Sequence, residues 1–446
     1  MHYLTYVSLA IYFLVMLGIG LFAYKQSTSD VSGYILGGRK VSPQVTALSA
    51  GASDMSGWML MGLPGAMFLV GFETIYIALG LLIGALVNYL VVAPKLRVYT
   101  EVADNSLTIP EFFAKRFHAP NGHVRIIAAV IIVIFFTLYT SAGLVAGGKL
   151  FVSAFDLSYE LGLIVTLAVV VSYTLLGGFL AVSLTDFVQG CIMFIALVLV
   201  PVVAYQEFSS ADKMMGFAYE SIPHFSDAMQ NVTMLGLISS LSWGLGYFGQ
   251  PHIIVRFMAI RSVSDIKTAR RIGMSWMTVT IVGALATGLV GIAYANKFDM
   301  KVSDPETIFI IFSELLFNPL ISGFLLAAIL AAIMSTISSQ LLVSSSSLTE
   351  DIYRSNSILS LVSNAWAGFG AAFGPLVLFS LYKQNLTHKA AVAGIVSGAA
   401  TVLFWIYAPV LADGKALTSV VYEMIPGFIV SSVVIWIASA LDSDPC

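Results

Sequence analysis

Long apolar runs separated by short polar segments cover almost the whole chain. An apolar run of about 20 residues is long enough to cross a bilayer as a helix. The first run is too long for a signal-peptide core and has no cleavage pattern after it. No soluble domain fits between the runs, so the pattern predicts an all-α polytopic membrane protein. The twelve predicted crossings lie near residues 3–24, 44–70, 75–95, 124–148, 158–183, 187–206, 231–255, 272–296, 318–347, 357–382, 390–410 and 424–441.

The composition supports a membrane location. Of the 446 residues, 58% are hydrophobic and only 10% are charged, whereas soluble domains carry about 25% charged residues. The net charge of −3 and the lack of a continuous basic cluster argue against a nucleic-acid partner.

Lys and Arg residues concentrate in alternate loops, which predicts the orientation of the chain. Basic residues favour cytoplasmic loops, so the loops after the first, third, seventh and ninth runs are predicted to be cytoplasmic and the N-terminus to be outside. The basic residues of these loops are Lys25, Arg39, Lys40, Lys95, Arg97, Lys115, Arg116, Arg125, Arg256, Arg261, Lys267, Arg270, Arg271 and Arg354.

The alternation fails after the run at 357–382, because Lys383 and Lys389 would then lie outside. One additional crossing between Arg354 and Ser355 would place both lysines inside. The sequence there is too short for a loop and a membrane span. We therefore hypothesise that a segment of a few dozen residues is absent near 354/355.

Asp54 is predicted to be the only charged residue in the middle of a membrane-length apolar run. A carboxylate at membrane depth costs about 2.5–3.5 kcal/mol on insertion scales and usually faces a polar cavity with a function. Its neighbours in SAGASDMSG at 49–57 are small residues that form helices poorly. This combination indicates an ion-coupled carrier.

Two of the predicted spans are interrupted by glycine, serine and proline. The second contains Gly57 and Pro64 among others, and the seventh contains Gly244, Gly249 and Pro251. Unwound backbone at membrane depth is tolerated where it lines a cavity, and paired breaks are typical of inverted-repeat transporters. The alternative is that small residues simply permit close helix packing.

The ninth span provides candidate ligands for a hard cation. Ala332, Ser335 and Thr336 lie at i, i+3 and i+4 and share a helix face. With the carbonyls of Ala52 and Met55, they would supply five oxygen ligands, which suits sodium. Alternatively, the two hydroxyls bond only to carbonyls of their own helix.

Three aromatic residues are candidates for the wall of a substrate pocket: Tyr139 in the fourth span, and Trp243 and Tyr247 in the broken seventh. Most aromatic residues in membrane proteins are packing residues or interface anchors, so this interpretation competes with a structural one.

Enzyme activity has little support in the sequence. No nucleophile–base pair or metal cluster emerges, and no organic cofactor is predicted. The segment GLVAGGKL at 143–150 has Leu150 where a P-loop requires Ser or Thr. Asp54 has no second acid in a comparable setting, which argues against an aspartic-protease dyad.

Four segments resemble the sodium/solute symporter family, with the greatest likeness to its bacterial proline-transporting branch. The likeness covers essentially the whole chain. The segments are YILGGR at 34–39, TALSAGASDMSGW at 46–58, GLGYFGQPH at 244–252 and MST at 334–336.

The resemblance implies a single transporter domain with thirteen spans and a leucine-transporter-type inverted repeat of five plus five helices. The family has a span before the helix that contains AWAGFG at 365–370, and this sequence lacks it. The implied parts are 1–42 as an additional first span, 43–206 and 230–382 as the two repeats, and 383–446 as additional spans.

The resemblance also implies roles for individual residues. Sodium would be bound by Ala52, Met55, Ala332, Ser335 and Thr336, and Asp54 would be required for sodium coupling. The substrate would be bound by Ser56, Gly57, Tyr139, Trp243, Tyr247 and Pro251, and Arg39 would belong to a cytoplasmic gate.

The expected function is Na⁺-driven import of L-proline across the cytoplasmic membrane of a bacterium, with Na⁺ as the co-transported ion and no obligate protein partner. Another small solute, such as a different amino acid, pantothenate or a sugar, is an alternative. A transporter-like sensor would need a fused signalling domain, and a channel would need a selectivity-filter repeat.

Overall fold

The computed structural model describes residues 3–26, 31–117, 123–155, 157–229, 232–343, 358–383, 386–408 and 416–441. Eight helices are long and apolar enough to cross a membrane, and in the described residues regular structure is helical throughout. The all-α membrane fold is therefore confirmed. The helices are α1 (Tyr3–Gln26), α2 (Val31–Leu36), α3 (Pro43–Met55), α4 (Leu63–Val70), α5 (Ile75–Val87), α6 (Ala93–Val102), α7 (Ile109–Arg116), α8 (His123–Phe155), α9 (Tyr159–Gln206), α10 (Ala211–Ser221), α11 (Met234–Leu241), α12 (Pro251–Ala259), α13 (Ile266–Lys297), α14 (Ile308–Leu315), α15 (Pro319–Val343), α16 (Ile358–Tyr382), α17 (His388–Tyr407) and α18 (Met424–Leu441).

The predicted runs correspond to these helices with one exception. The runs at 158–183 and 187–206 form the single element α9, which is kinked at Gly178. Gly178 has φ 53° and ψ −143°, a conformation that glycine adopts without a Cβ penalty. The boundary between these two crossings therefore lies at Gly178, and the prediction that it lies near 184–186 was wrong.

Both interrupted spans are present in the structure. The helix α3 ends at Met55, and a π-helical turn, Trp58–Gly62, leads into α4. In the second broken span, a 3₁₀ segment, Ser242–Phe248, joins α11 to α12.

The helices α15 and α16 follow one another in sequence and run toward the same face of the protein. The start of α15 lies beside the start of α1, where Thr5 Oγ1 donates to Pro319 O over 3.1 Å. At the other face, Arg256 near the end of α12 bonds Ser339 near the end of α15.

The end of α16 lies at that same face. Arg116 Nε donates to Ser380 O over 3.2 Å, and Arg116 also reaches Lys383 O. Arg39 binds Met258 of α12 and Thr100 of α6 there, so this is the face of the predicted cytoplasmic loops.

Two successive spanning helices that run in the same direction, as α15 and α16 do, need a return crossing between them. The residues that join them, 344–357, lie outside the described residues, as do Arg354 and Ser355. Fewer than the roughly 20 residues that a helical crossing needs are available there. The absence of a segment near 354/355 stays a prediction. An additional crossing at that point would require α15 and α16 to be parallel, as they are in the structure.

Candidate functional site

The two helix breaks meet at a buried cavity, which we call the aromatic cavity. Its volume in this structure is about 10 Å³, close to the space that one water molecule needs. Its walls come from both breaks and from α5, α8 and α16. The lining residues are Asp54, Met55, Ser56, Trp58, Leu81, Tyr139, Trp243, Tyr247 and Trp366.

Ser56 forms the turn of the first break. Its φ of 48° lies in the left-handed region, which is uncommon for a residue other than glycine. Its Oγ accepts a hydrogen bond from the backbone N–H of Trp58 over 3.2 Å. Such strained positions occur at binding sites, where surrounding structure holds them in place.

Three tryptophans and a tyrosine fix the aromatic wall. Trp58 stacks on Trp243 with ring centroids 5.7 Å apart, and Trp366 meets Tyr247 edge to face at 5.1 Å. Trp366 Nε1 donates to Trp243 O over 2.7 Å. A Cβ on Gly246 would lie 2.0 Å from Trp366 Nε1, so only glycine allows this contact.

Asp54 links the two breaks. It is 7% exposed, and the hydroxyl of Tyr247 donates to its carboxylate. The hydroxyl of Tyr139 donates to the backbone carbonyl of Asp54 over 3.1 Å. Two tyrosines, one from the 3₁₀ segment and one from α8, therefore hold the end of α3 in position.

The five predicted sodium ligands lie at the contact between the end of α3 and the middle of α15. Ser335 Oγ donates to Ala52 O over 2.8 Å and to Ala332 O over 3.1 Å, and Thr336 Oγ1 donates to Ala332 O over 3.2 Å. Met55 is the last residue of α3, where helix carbonyls lack intrahelical partners. The group is buried, so this oxygen-rich contact could hold a dehydrated cation.

The structure brings most of the predicted substrate residues together. Ser56, Tyr139, Trp243 and Tyr247 all line the aromatic cavity. Gly57 is not part of its wall: a Cβ there would lie 3.0 Å from Ala146 and Ile333, which makes it a packing position between α8 and α15. Pro251 is the buried first residue of α12 and does not line the cavity.

Arg39 lies in a tight turn on the cytoplasmic-loop face. Gly37, Gly38 and Arg39 all have φ between 54° and 59°. The guanidinium donates to Asn105 Oδ1, to Thr100 Oγ1, and to the carbonyls of Met258 and Ser106. Burial, and then the neighbouring cation of Arg97, lowers the pKa of Arg39 to about 10, which leaves it charged at neutral pH. It thus ties the ends of α6 and α12 together.

Sequence reasoning missed a buried ion pair. Asp186 and Arg256 are fully buried and form an ion pair, with Arg256 Nη2 3.0 Å from Asp186 Oδ2. Ser49 Oγ donates to the same carboxylate oxygen over 2.7 Å. The placement of Arg256 in a loop was wrong, because α12 continues to Ala259.

Sequence reasoning also missed Trp58 and Trp366 as walls of the cavity. Trp58 stands next to the Ser56–Gly57 turn, which was a usable signal. Trp366 lies on α16. Its position in the cavity wall depends on tertiary packing, which a local sequence pattern does not predict.

The sequence matches the model of the sodium:solute symporter family over residues 34–356. The chain belongs to this family. The resemblance inferred from the four sequence segments is thereby confirmed.

Curated relatives extend over nearly the full length of the chain. The osmoregulated proline transporter OpuE of Bacillus subtilis is 54% identical, with 98% of this chain and 95% of that protein covered. The sodium/proline symporter of Staphylococcus aureus is 50% identical, with 99% and 93% covered. These alignments span 473 and 479 positions, more than the 446 residues of this chain, so the relatives contain residues that this chain lacks.

A solved structure confirms the leucine-transporter-type fold. A Na⁺-coupled sialic acid symporter in a substrate-bound, outward-open state superposes with a TM-score of 0.79 at 16% sequence identity. The match covers 100% of this chain and 99% of that one. At this identity, the likeness concerns the fold alone.

Proposed function

We propose that this protein is a Na⁺-coupled symporter that imports L-proline by alternating access. The observation that carries the proposal is the meeting of both helix breaks at the aromatic cavity, directly beside the oxygen-rich contact of α3 and α15. Membership of the sodium:solute symporter family supports the coupling ion. The two curated relatives, which transport proline, support the substrate.

Sodium binds first, at the carbonyls of Ala52, Met55 and Ala332 and the hydroxyls of Ser335 and Thr336. In the structure, both hydroxyls donate to these carbonyls. A bound sodium ion would replace these hydrogen bonds, because the hydroxyl and carbonyl oxygens would coordinate the ion instead. The end of α3, and with it the Ser56 turn, would be ordered by the ion.

Proline then occupies the aromatic cavity, whose walls must move apart to admit it, because the cavity has a volume of only about 10 Å³ in this structure. Its carboxylate meets the backbone N–H groups at the Ser56–Gly57 turn, where the following helical segment presents its positive dipole end. Its pyrrolidine ring lies against Trp243 and Tyr247, and its ammonium group gains cation–π contact. In the part of the chain that the structure describes, no Lys or Arg lines this cavity. This favours a compact zwitterion over a solute with an additional acidic group.

Coupling follows from mutual stabilisation of the two ligands. Sodium and proline must raise each other's affinity by the same factor. Inward release then uses the sodium gradient and the membrane potential, which contributes about 2.3 kcal/mol per charge per 100 mV. Opening toward the cytoplasm requires the ends of α6 and α12 to separate, so the Arg39 contacts must break in that step.

The setting of the protein is proposed to be a bacterial cytoplasmic membrane with the N-terminus outside. The basic loops and the bacterial relatives support this orientation and location. The partners of the chain are then Na⁺, the solute and the lipid bilayer, with no obligate protein partner and no nucleic acid.

Uptake into proteoliposomes tests the proposal. A form in which the corresponding segment of the Bacillus subtilis relative is inserted after Arg354, to supply the crossing that we predict to be absent, is compared with the 446-residue form. We expect labelled proline to accumulate in the completed form only with an inward sodium gradient, and to be displaced by unlabelled proline. Accumulation driven equally well by a potassium gradient would contradict sodium coupling, and displacement by another solute alone would contradict the substrate.

A further inference from the structure

The carboxylate of Asp54 faces away from the hydroxyls of Ser335 and Thr336. Ala52 of α3 contacts Ser335 of α15. Successive helix positions are about 100° apart, so residue 54 projects from another face of α3. The structure agrees, because the carboxylate accepts a bond from Tyr247 and lines a second cavity. The acid is therefore engaged on a face of α3 other than the one that contacts Ser335.

The second cavity lies between α3, α12, α13 and the π-helical turn Asn88–Val92. Its volume is about 20 Å³, enough for one ion or water molecule, and we call it the Asp54 cavity. Four oxygen-bearing side chains line it, namely Asp54, Asn88, Tyr89 and Tyr247. The remaining walls are apolar or glycine.

Two of these oxygen-bearing groups lack adequate partners. Asn88 is 1% exposed, and its Oδ1 has no hydrogen-bond partner. Among the described residues, no Lys, Arg or His pairs with Asp54, since the ion pairs there involve other carboxylates. A buried carboxylate with one neutral donor, beside an amide oxygen that accepts no hydrogen bond from the described residues, offers oxygen ligands to a cation.

We propose that the Asp54 cavity is a second cation site, which binds Na⁺ through the Asp54 carboxylate and Asn88 Oδ1. The phenol oxygens of Tyr89 and Tyr247 and water complete the ligand set. One carboxylate balances a single positive charge, so a monovalent ion suits the cavity, whereas a divalent ion would leave excess charge in the membrane. Oxygen ligands suit a hard cation.

The site gives Asp54 a direct part in sodium coupling. An ion there would be held by α3 and by the Asn88 turn, and Tyr247 would transmit its presence to the second helix break. The inference rests on the proposed function only for the identity of the ion. Its test therefore measures sodium binding without proline.

The test uses binding of radioactive sodium to the purified 446-residue protein by scintillation proximity. The variant Ser335→Ala/Thr336→Ala removes the hydroxyl ligands of the first site. We expect it to retain saturable sodium binding, and we expect the further change Asn88→Leu to abolish that binding. Met274→Leu, which alters the same cavity without removing an oxygen, is the matched control and should bind like its parent.

Two further variants keep the proposal testable if Asn88→Leu fails to fold. Asn88→Asp adds a second carboxylate, so we expect sodium to bind about tenfold more tightly. Asp54→Asn in the Ser335→Ala/Thr336→Ala background should bind no sodium. Thermal unfolding identifies any variant that has lost its fold.

The outcomes separate this inference from the proposed function. Loss of all sodium binding in Ser335→Ala/Thr336→Ala, or unchanged binding after Asn88→Leu, would overturn the second site. The second site would also be overturned if Asp54 takes up a proton instead of sodium. In that case the sodium affinity of Asn88→Asp would equal that of its parent. A protein that binds sodium at both sites but no proline would leave the inference standing and contradict the assigned solute.

Discussion

The hydroxyl of Tyr247 donates a hydrogen bond to the carboxylate of Asp54, and this bond joins the two interrupted spans. Tyr247 belongs to the 3₁₀ segment between α11 and α12, and Asp54 lies one residue before the end of α3. Sodium bound near Asp54 and a solute bound near Tyr247 can therefore influence each other through this one hydrogen bond.

Replacing Tyr247 tests this link. Tyr247→Phe keeps the ring and its edge-to-face contact with Trp366 but removes the donor. A hydrogen bond to a charged group contributes about 1.5–3 kcal/mol, so we expect the sodium concentration for half-maximal proline binding to rise by about tenfold or more.

The control for Tyr247→Phe is Tyr76→Phe, because the Tyr76 hydroxyl bonds Met229 in an exposed contact. Sodium dependence equal to that of the unaltered protein in Tyr247→Phe would show that the contact does not transmit coupling.

The hydroxyl of Ser335 is predicted to be a sodium ligand. Ser335→Ala removes one neutral oxygen, which we expect to weaken sodium binding by about tenfold, on the scale of about 1–1.5 kcal/mol for one such interaction. Ser338→Ala is the control, since its hydroxyl donates to the Ser335 carbonyl within the same helix and does not reach α3. Equal effects of the two substitutions on a sodium titration would argue for a packing role.

The Asp186–Arg256 pair is predicted to stabilise the fold. Arg256→Met leaves a buried carboxylate unpaired, and removing one partner of such a pair costs about 3–5 kcal/mol. We expect a clear fall in the thermal unfolding midpoint in detergent and a substantial recovery in Arg256→Met/Asp186→Leu.

An exposed ion pair provides the comparison. Arg261 pairs with Asp265 on the surface with its side chain 57% exposed, so Arg261→Met should leave the midpoint unchanged. A double variant of the buried pair that is less stable than Arg256→Met alone would contradict the assignment.

The direction of α16 predicts which face carries Lys383. Single cysteines at Lys383, Ser264 and Asp212, in a background without Cys191 and Cys446, are labelled with an impermeant maleimide in oriented vesicles. Lys383→Cys and Ser264→Cys should react from one face and Asp212→Cys from the other, because α10 packs against the opposite end of α13. Joint labelling of positions 383 and 212 would mean that α15 and α16 are antiparallel.

Local sequence signals were sufficient for the helices and for most of the site. Apolar length identified the crossings, and glycine and proline identified both breaks, because these residues act on the backbone where they stand. Asp54, Ser56 and Tyr247 could be singled out since their polarity or position is exceptional within an apolar run.

Features that depend on tertiary packing could not be found in this way. Arg256 looked like a loop cation until α12 was seen to continue past it, and Asp186 lay between two runs that are one kinked element. Trp366 reaches the cavity only because Gly246 leaves space for its ring. The sequence around Asn88 contains no pattern that would predict that it lines the same cavity as Asp54.

The most direct test of the account is the sodium dependence of labelled L-proline binding to the purified protein. We predict saturable binding that requires Na⁺, with proline tightening sodium binding by the same factor by which sodium tightens proline binding. The completed form with a crossing after Arg354 should give the same result. Proline binding of equal affinity with and without sodium in that form would contradict a coupled site at the two helix breaks.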